Sequence, residues 1–394
     1  MAQYEYAAPC HFGMEAVLKR EIQDFGYEVT AVDDGRVRFR GDESAAASAN
    51  VNLRCTERIL LIVGEFKAYS FTELFDETKK LPWEEFLPKN AKFWVAKVSS
   101  IRSALHSPSD VQSIMKKAMV ERMKQHYHTE WFQEDGPGYP LRVTIKKDLV
   151  TVALDTTGVS LHKRGYRAAP VIAPISETLA ASLIRLSPWH ADRILVDPFC
   201  GSGTIPIEAA MMAKHIAPGM KRRFLAEQWT SVLPPQSFRE ARRKAEEEVL
   251  EMVPDVDIQG YDIDDKAVRY ARQNAEAAGV EGLIHFQRRA VKDLSHPKKY
   301  GFIITNPPYG ERLEDRAGLP ALYGQIGEVY RKLDDWSMYL ISSYDETEKY
   351  IGRKADKNRK IYNGMLQTYV YQYFGARPPR QKDIEAGRRK LADR

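Results

Sequence analysis

From Ile194 onward the chain repeats one pattern, a short apolar run followed by a polar loop and a stretch of helical period. The runs occupy residues 194–196, 256–261, 284–286, 302–305 and 338–341. Each suits a buried strand and is too short for a helix, and parallel neighbours need a helical crossover between them. This half of the chain is therefore restricted to an α/β fold, a mostly parallel sheet with helices on both faces. Residues 360–362 and 366–374 read as two more strands with no helical stretch between them, so an antiparallel edge is expected, giving seven strands. Ser237 and Glu240 have capping-box spacing and predict a charged helix through Met252, inserted between the first and second sheet strands.

The first half has a different rhythm. Residues 4–8 and 37–40 read as strands around a helical stretch at 13–25, a small α+β unit. After an apolar run at 59–63 comes a polar stretch with Pro82 and Pro88, then a strand marked by Phe93, Val95 and Val98. Ser107-Pro108-Ser109-Asp110 opens a helix over 111–123. Leu141-Val143-Ile145 and Val150-Val152-Leu154 flank a charged turn and predict a hairpin closing a second α+β unit. Residues 163–170 read as a connector, and residues 377–394, rich in Pro, Arg and Lys, as a loose tail. The 394 residues suit two or three domains, at about 100 to 200 residues each.

Composition excludes several classes. With 43% hydrophobic residues the bulk of the chain is not disordered. Its longest strongly apolar run, Ile59-Leu60-Leu61-Ile62-Val63, falls far short of the roughly 20 residues of a membrane-spanning helix. The N-terminus lacks a secretory pattern, so the cytoplasm is the default expectation. Cys10, Cys55 and Cys200 are too scattered for a disulfide framework or a zinc site, and His11, His106, His126 and His128 show no ligand spacing; no metal is expected. Lys and Arg number 59 against 54 Asp and Glu, an excess that matters only where it clusters.

Three strand ends carry the chemistry. Asp197-Pro198-Phe199-Cys200-Gly201-Ser202-Gly203-Thr204 lies between the first strand and a helix, where two glycines let the backbone turn sharply and approach a ligand. It lacks the third glycine of a dinucleotide fingerprint, replaced by Pro206, and the Gly-Lys-Ser/Thr of a P-loop, which disfavours phosphate binding; a structural turn is the alternative. At the end of the second strand Asp262 stands where a carboxylate accepts from a ribose diol, unless it caps the next helix, a role open equally to Asp264. Asn306-Pro307-Pro308-Tyr309 follows the fourth strand. Its prolines remove two backbone donors and leave acceptors, which suits a planar amino group held by Asn306 Oδ1 and the Pro307 carbonyl with Tyr309 stacked on the ring; a plain loop start is the alternative.

Asp197 to Thr204 resembles the cofactor loop, and Asn306 to Tyr309 the catalytic tetrapeptide, of class I S-adenosylmethionine-dependent amino-methyltransferases. Leu161-His162-Lys163-Arg164-Gly165-Tyr166-Arg167 and Pro174-Ile175-Ser176-Glu177-Thr178-Leu179-Ala180-Ala181 narrow the likeness to THUMP-domain RNA methyltransferases. Among these the chain is most similar to the bacterial family that methylates guanine N2 in 23S ribosomal RNA.

The resemblance implies a ferredoxin-like unit at 1–55, a THUMP RNA-binding domain at 56–158 and a Rossmann-like catalytic domain at 159–376, ahead of the basic tail. It implies catalytic roles for Asn306, Pro307, Pro308 and Tyr309. Cofactor contacts are implied at Asp197, Pro198, Gly201, Ser202, Gly203, Thr204, Asp262, Ile263, Asp293 and Asn306. Asp293 stands in for an acidic residue that family members carry where this chain has Ala290, and Ser176-Glu177-Thr178 replaces their Lys-Glu-Asn. Structured RNA is the expected partner, met by Lys116, Lys117, Arg122 and Lys124 on one helix and by Lys163, Arg164 and Arg167 at the connector; a solvated face is the alternative. Lys221-Arg222-Arg223 and Arg242-Arg243-Lys244 are further basic candidates. A monomer or weak dimer is expected. The rival functions are a transfer-RNA or DNA amino-methyltransferase and a non-catalytic RNA-assembly factor.

Overall fold

The computed structural model describes residues 3–167, 175–310, 317–333, 335–364 and 366–379. The far end of the connector, Pro174 and the tail from residue 380 lie outside the described residues. The chain divides into two compact units, one taking residues up to Gly165 together with His215–Val249, the other Tyr166–Lys214 with the chain from Leu250.

The first unit contains Tyr4–Pro9 (β1), Glu15–Asp24 (α1), Glu28–Asp33 (β2), Arg36–Gly41 (β3), Ala45–Asn52 (α2), Leu60–Lys67 (β4), Phe71–Lys80 (α3), Trp83–Phe86 (α4), Lys92–Ile101 (β5), Pro108–Tyr127 (α5), Gly138–Lys146 (β6) and Leu149–Asp155 (β7). Its strands form one sheet, ordered β2-β3-β1-β4-β7-β6-β5. Periodicity predicts two separate α+β units; instead β1 pairs with β4, Tyr6 opposite Leu61 and Ala7 opposite Leu60, and joins them. The β6–β7 hairpin turns at Lys147 and Asp148, both at positive φ, matching the twist of a two-residue connection. The stretch around Pro82 proves helical. Ser70 caps α3 by accepting from the Glu73 N–H, and Trp83 is fully buried with its Nε1 donating to the Thr78 carbonyl.

The second unit contains Glu177–Leu186 (α6), Leu195–Asp197 (β8) and Thr204–Ala213 (α7). After Ser237–Glu247 (α8), which belongs to the first unit, come Ile258–Asp262 (β9), Asp265–Ala278 (α9), Ile284–Arg288 (β10), Phe302–Thr305 (β11), Leu319–Lys332 (α10), Ser337–Ser342 (β12), Thr347–Ile351 (α11), Lys357–Asn363 (β13) and Leu366–Tyr373 (β14). The order is β10-β9-β8-β11-β12-β14-β13, parallel through β12, with β14 and β13 forming the antiparallel edge. On one face Val196, Ile303, Met338 and Leu340 pack with Tyr323, Ile326 and Val329 of α10. Strand order reverses between β8 and β11, so their carboxyl ends flank the crevice in which doubly wound sheets bind ligands. Among the described residues no helix is long and apolar enough to cross a membrane.

Residues 215–249 belong to the first unit and contribute no strand to the parallel sheet. Trp229 accounts for this: its fully buried indole stacks on Tyr139 at 4.6 Å between centroids and donates to the Gly138 carbonyl at 2.9 Å. The capping box fails here, because Gln236 is the N-cap, Ser237 lies inside the helix, and α8 ends at Glu247 rather than Met252.

Candidate active site

The loop after β8 needs both of its glycines. Gly201 and Gly203 stand at φ 52° and 83°, where a side chain is strained. Around Gly201 nothing lies within 4 Å of where a Cβ would stand, whereas at Gly203 a Cβ would sit 3.0 Å from Ala271 and Phe286. The Gly203 backbone begins α7, whose Thr204 is buried. A third glycine, Gly260 on β9, is required for room, since a Cβ there would lie 2.6 Å from the Phe286 ring. Pro198 and Ser202 are buried.

Asp262 faces this loop. Its Oδ2 accepts from the Gly201 N–H and its Oδ1 from the Asp264 N–H, each at 3.0 Å. The helix cap belongs to Asp264, whose Oδ1 accepts from the Lys266 N–H at 2.9 Å. The half-buried Asp262 carboxylate therefore retains accepting capacity beyond its two backbone bonds. Burial raises its pKa, and the two N–H bonds pull it back. Beside it Ile263 is 66% exposed. Asp293, also exposed, follows β10 in a short turn, its carbonyl accepting from Arg289.

Asp197 ends β8 as a buried carboxyl at the start of this loop. It is 2% exposed, and its Oδ1 accepts from Thr305 Oγ1 at 2.7 Å and from the Phe199 N–H at 3.1 Å. Burial pushes this carboxyl up to about 7, aided by the Asp262 charge and opposed by the two hydrogen bonds. The folded state then holds its proton more tightly than the unfolded chain. Stability from this group is present below the ordinary value of 3.8 and is lost as pH rises toward 7. The melting temperature of Asp197→Asn, minus that of the wild type, should accordingly grow as pH rises through that window. Thermal melts that give a constant difference would refute the assignment.

Asn306 begins the loop after the fully buried β11. Its Oδ1 is buried and has no hydrogen-bond donor among the described residues. Pro307 is buried and Pro308 exposed. The Pro308 carbonyl accepts from Tyr323 Oη at 3.2 Å, a hydroxyl also bonded to Ser342 Oγ at 2.7 Å. Tyr309, 9% exposed, has its hydroxyl oxygen held by Asn363 Nδ2 at 3.1 Å. Tyr323, Ser342 and Asn363 escaped the sequence reading because each acts from a distant element and belongs to no local motif.

The basic residues divide. Arg164 is 6% exposed and donates to the Leu161 and Arg54 carbonyls at 2.7 Å. Arg167 binds the buried Glu177 carboxylate at 3.1 Å, and Thr204 Oγ1 and the Ile175 carbonyl at 3.2 Å. Both guanidiniums are thus engaged by carbonyl, hydroxyl or carboxylate oxygens of the protein. Ser176 caps α6, accepting from the Leu179 N–H. On α5, Lys116 pairs with Glu134, Arg122 with Glu84 and Lys124 with Glu130. Lys117 is exposed with its Nζ 5.9 Å from the Phe75 ring centroid, and Lys163 is exposed. Arg242 pairs with Glu227, and Arg243 with Glu247.

Comparison with known proteins agrees with this geometry. A family model described as the RMKL-like methyltransferase domain matches residues 164–372, the RlmL ferredoxin-like domain matches 5–60, and the THUMP domain matches 68–155. A Bacillus subtilis (strain 168) protein named "Putative RNA methyltransferase YpsC" is 42% identical over 387 residues, covering 98% of this chain and 100% of that protein. A structure described as "a possible methylase from Clostridium difficile 630" matches with a TM-score of 0.91 and 48% identity over 96% of this chain and 100% of its own. Another, described as "a putative methyltransferase complexed with SAH", matches at 0.90 and 39% identity, again over 96% and 100%. The chain therefore belongs to the RMKL-like family of THUMP-domain RNA methyltransferases, class I enzymes that take their methyl group from S-adenosylmethionine.

Proposed function

We propose that the enzyme methylates the exocyclic N2 of a guanine in structured RNA, 23S ribosomal RNA in the first instance. One observation carries the choice of an amine: Asn306 Oδ1, at the end of β11, is a buried acceptor without a donor among the described residues. A buried acceptor left unbonded costs about 1 to 3 kcal/mol, and an amino N–H restores the missing partner. The guanine amine is a weak nucleophile because its lone pair is delocalised into the ring. Accepting its N–H bonds at Asn306 Oδ1 and the Pro307 carbonyl favours a pyramidal, more nucleophilic nitrogen and stabilises the positive charge that develops there. With the Pro308 carbonyl already bonded to Tyr323, the amine is left to Asn306 and Pro307.

S-adenosylmethionine supplies the electrophilic methyl. The residues present suit it: Asp262 has lone pairs for the ribose diol, Gly201 permits close approach, and Ile263 and Asp293 offer an apolar and a polar contact for adenine. Ser202 and Gly203 shape the same loop. The target base is turned out of its stack at a cost of a few kcal/mol. Lys117 and Lys163 meet RNA phosphate directly. Lys124 joins them by exchanging its exposed partner Glu130 for phosphate, since such an ion pair holds only about 0 to 1 kcal/mol, and Lys116 and Arg122 follow on the same helix by giving up Glu134 and Glu84.

The test is to incubate total RNA from a strain lacking the gene with the enzyme and methyl-labelled S-adenosylmethionine, then identify the product nucleoside by mass spectrometry. N2-methylguanosine in 23S RNA is expected. Label in transfer RNA would move the substrate, N6-methyladenosine would overturn the guanine reading, and no label with intact cofactor binding would favour an assembly factor.

A further inference from the structure

We propose that Thr305 is a positioning residue for methyl transfer, its hydroxyl tying the base of the Asn306 loop to the buried Asp197 carboxylate. The inference rests on the role proposed for Asn306. The backbone ladder between β8 and β11 runs through Leu195 opposite Phe302 and Val196 opposite Ile303. Asp197 and Thr305 lie just beyond, each the last residue of its strand, and there a side-chain bond of 2.7 Å takes over from the ladder. Both residues are shut away from water, Thr305 at 0% and Asp197 at 2% exposure, so the bond suffers little competition from solvent. Thr305 is β-branched and stiff about χ1, so fixing its hydroxyl also fixes the strand end from which Asn306 departs.

The same Asp197 oxygen accepts from the Phe199 N–H. One carboxylate thus anchors the start of the glycine loop and the start of the Asn306 loop together. The two loops are separated by 108 residues along the chain yet share this single anchor. The groups acting on Asp197 are the Thr305 hydroxyl and the Phe199 N–H, which favour its ionised form, and the Asp262 carboxylate on β9, which opposes it; the neighbouring Cys200 thiol is buried.

Thr305→Val keeps the shape and branching but cannot donate. We expect kcat on 23S RNA from the gene-deleted strain to fall about 10- to 100-fold, the scale of a small misplacement of reacting groups, with KM for cofactor and RNA within about threefold of wild type. Loss of the hydroxyl also disfavours the carboxylate, so the acidic limb of the kcat profile should shift to higher pH. Thr305→Ser should restore both the rate and the limb. Wild-type kcat with an unshifted limb in the valine variant, or a serine variant as slow as valine, would overturn the proposal. If valine prevents folding, serine against alanine makes the same comparison. Asn306→Ala, assayed in parallel, separates the two readings: if it is fully active, the amine-acceptor role fails; if it is slow while Thr305→Val is normal, only the positioning role fails.

Discussion

Asn306→Ala should lower the single-turnover rate of methyl transfer by about 10² to 10³, the cost of removing one preorganised polar group from a charge-developing site. The side chain offers a buried acceptor whose bond strengthens as the amine becomes cationic, so its loss falls on the chemical step and leaves cofactor and RNA affinity largely intact. Asn306→Asp is the finer probe, since a carboxylate still accepts the N–H bond and some activity survives, whereas alanine accepts nothing. A wild-type rate in the alanine variant would reduce Asn306-Pro307-Pro308-Tyr309 to a loop and remove the basis for an amino-methyltransferase.

Asp262→Ala is expected to weaken S-adenosylmethionine binding by about 10²-fold. Hydrogen bonds to a charged group contribute about 1.5 to 3 kcal/mol each, and the variant forfeits those to the ribose while freeing the Gly201 N–H from its anchor. Calorimetry reads the effect, and RNA affinity should stay unchanged. Because Asp264 holds the α9 cap, helix stability is not at stake in this variant. Unaltered cofactor affinity would leave Asp262 as a support for the glycine loop alone.

The catalytic sheet was legible in the sequence because its signals are local. Each strand is a short apolar run, each crossover a helical period, and the antiparallel pair at 357–373 betrays itself by lacking a helix between its strands. The glycine loop and Asn306-Pro307-Pro308-Tyr309 were legible for the same reason, since φ constraints and missing donors are properties of neighbouring residues. Helix α3 was hidden because Pro82 and a run of charges mimic a loop, while its cap at Ser70 and the burial of Trp83 emerge only once the chain has folded.

The sequence by itself determined the fold class, the seven catalytic strands and the two motifs at their carboxyl ends. Tertiary structure alone decided that β1 and β4 fuse the N-terminal strands into one sheet, that residues 215–249 join that unit, and that Asp264 rather than Asp262 caps α9. It likewise buried Arg164, paired Arg167 with Glu177, and brought Thr305 to Asp197 and Tyr323 to the Pro308 carbonyl. The physical reason is common to these cases. Strand, turn and helix preferences depend on residues a few positions apart, but burial of a charge or a polar atom is favourable only with a particular partner in hydrogen-bonding reach, and which partner that is depends on how distant segments pack.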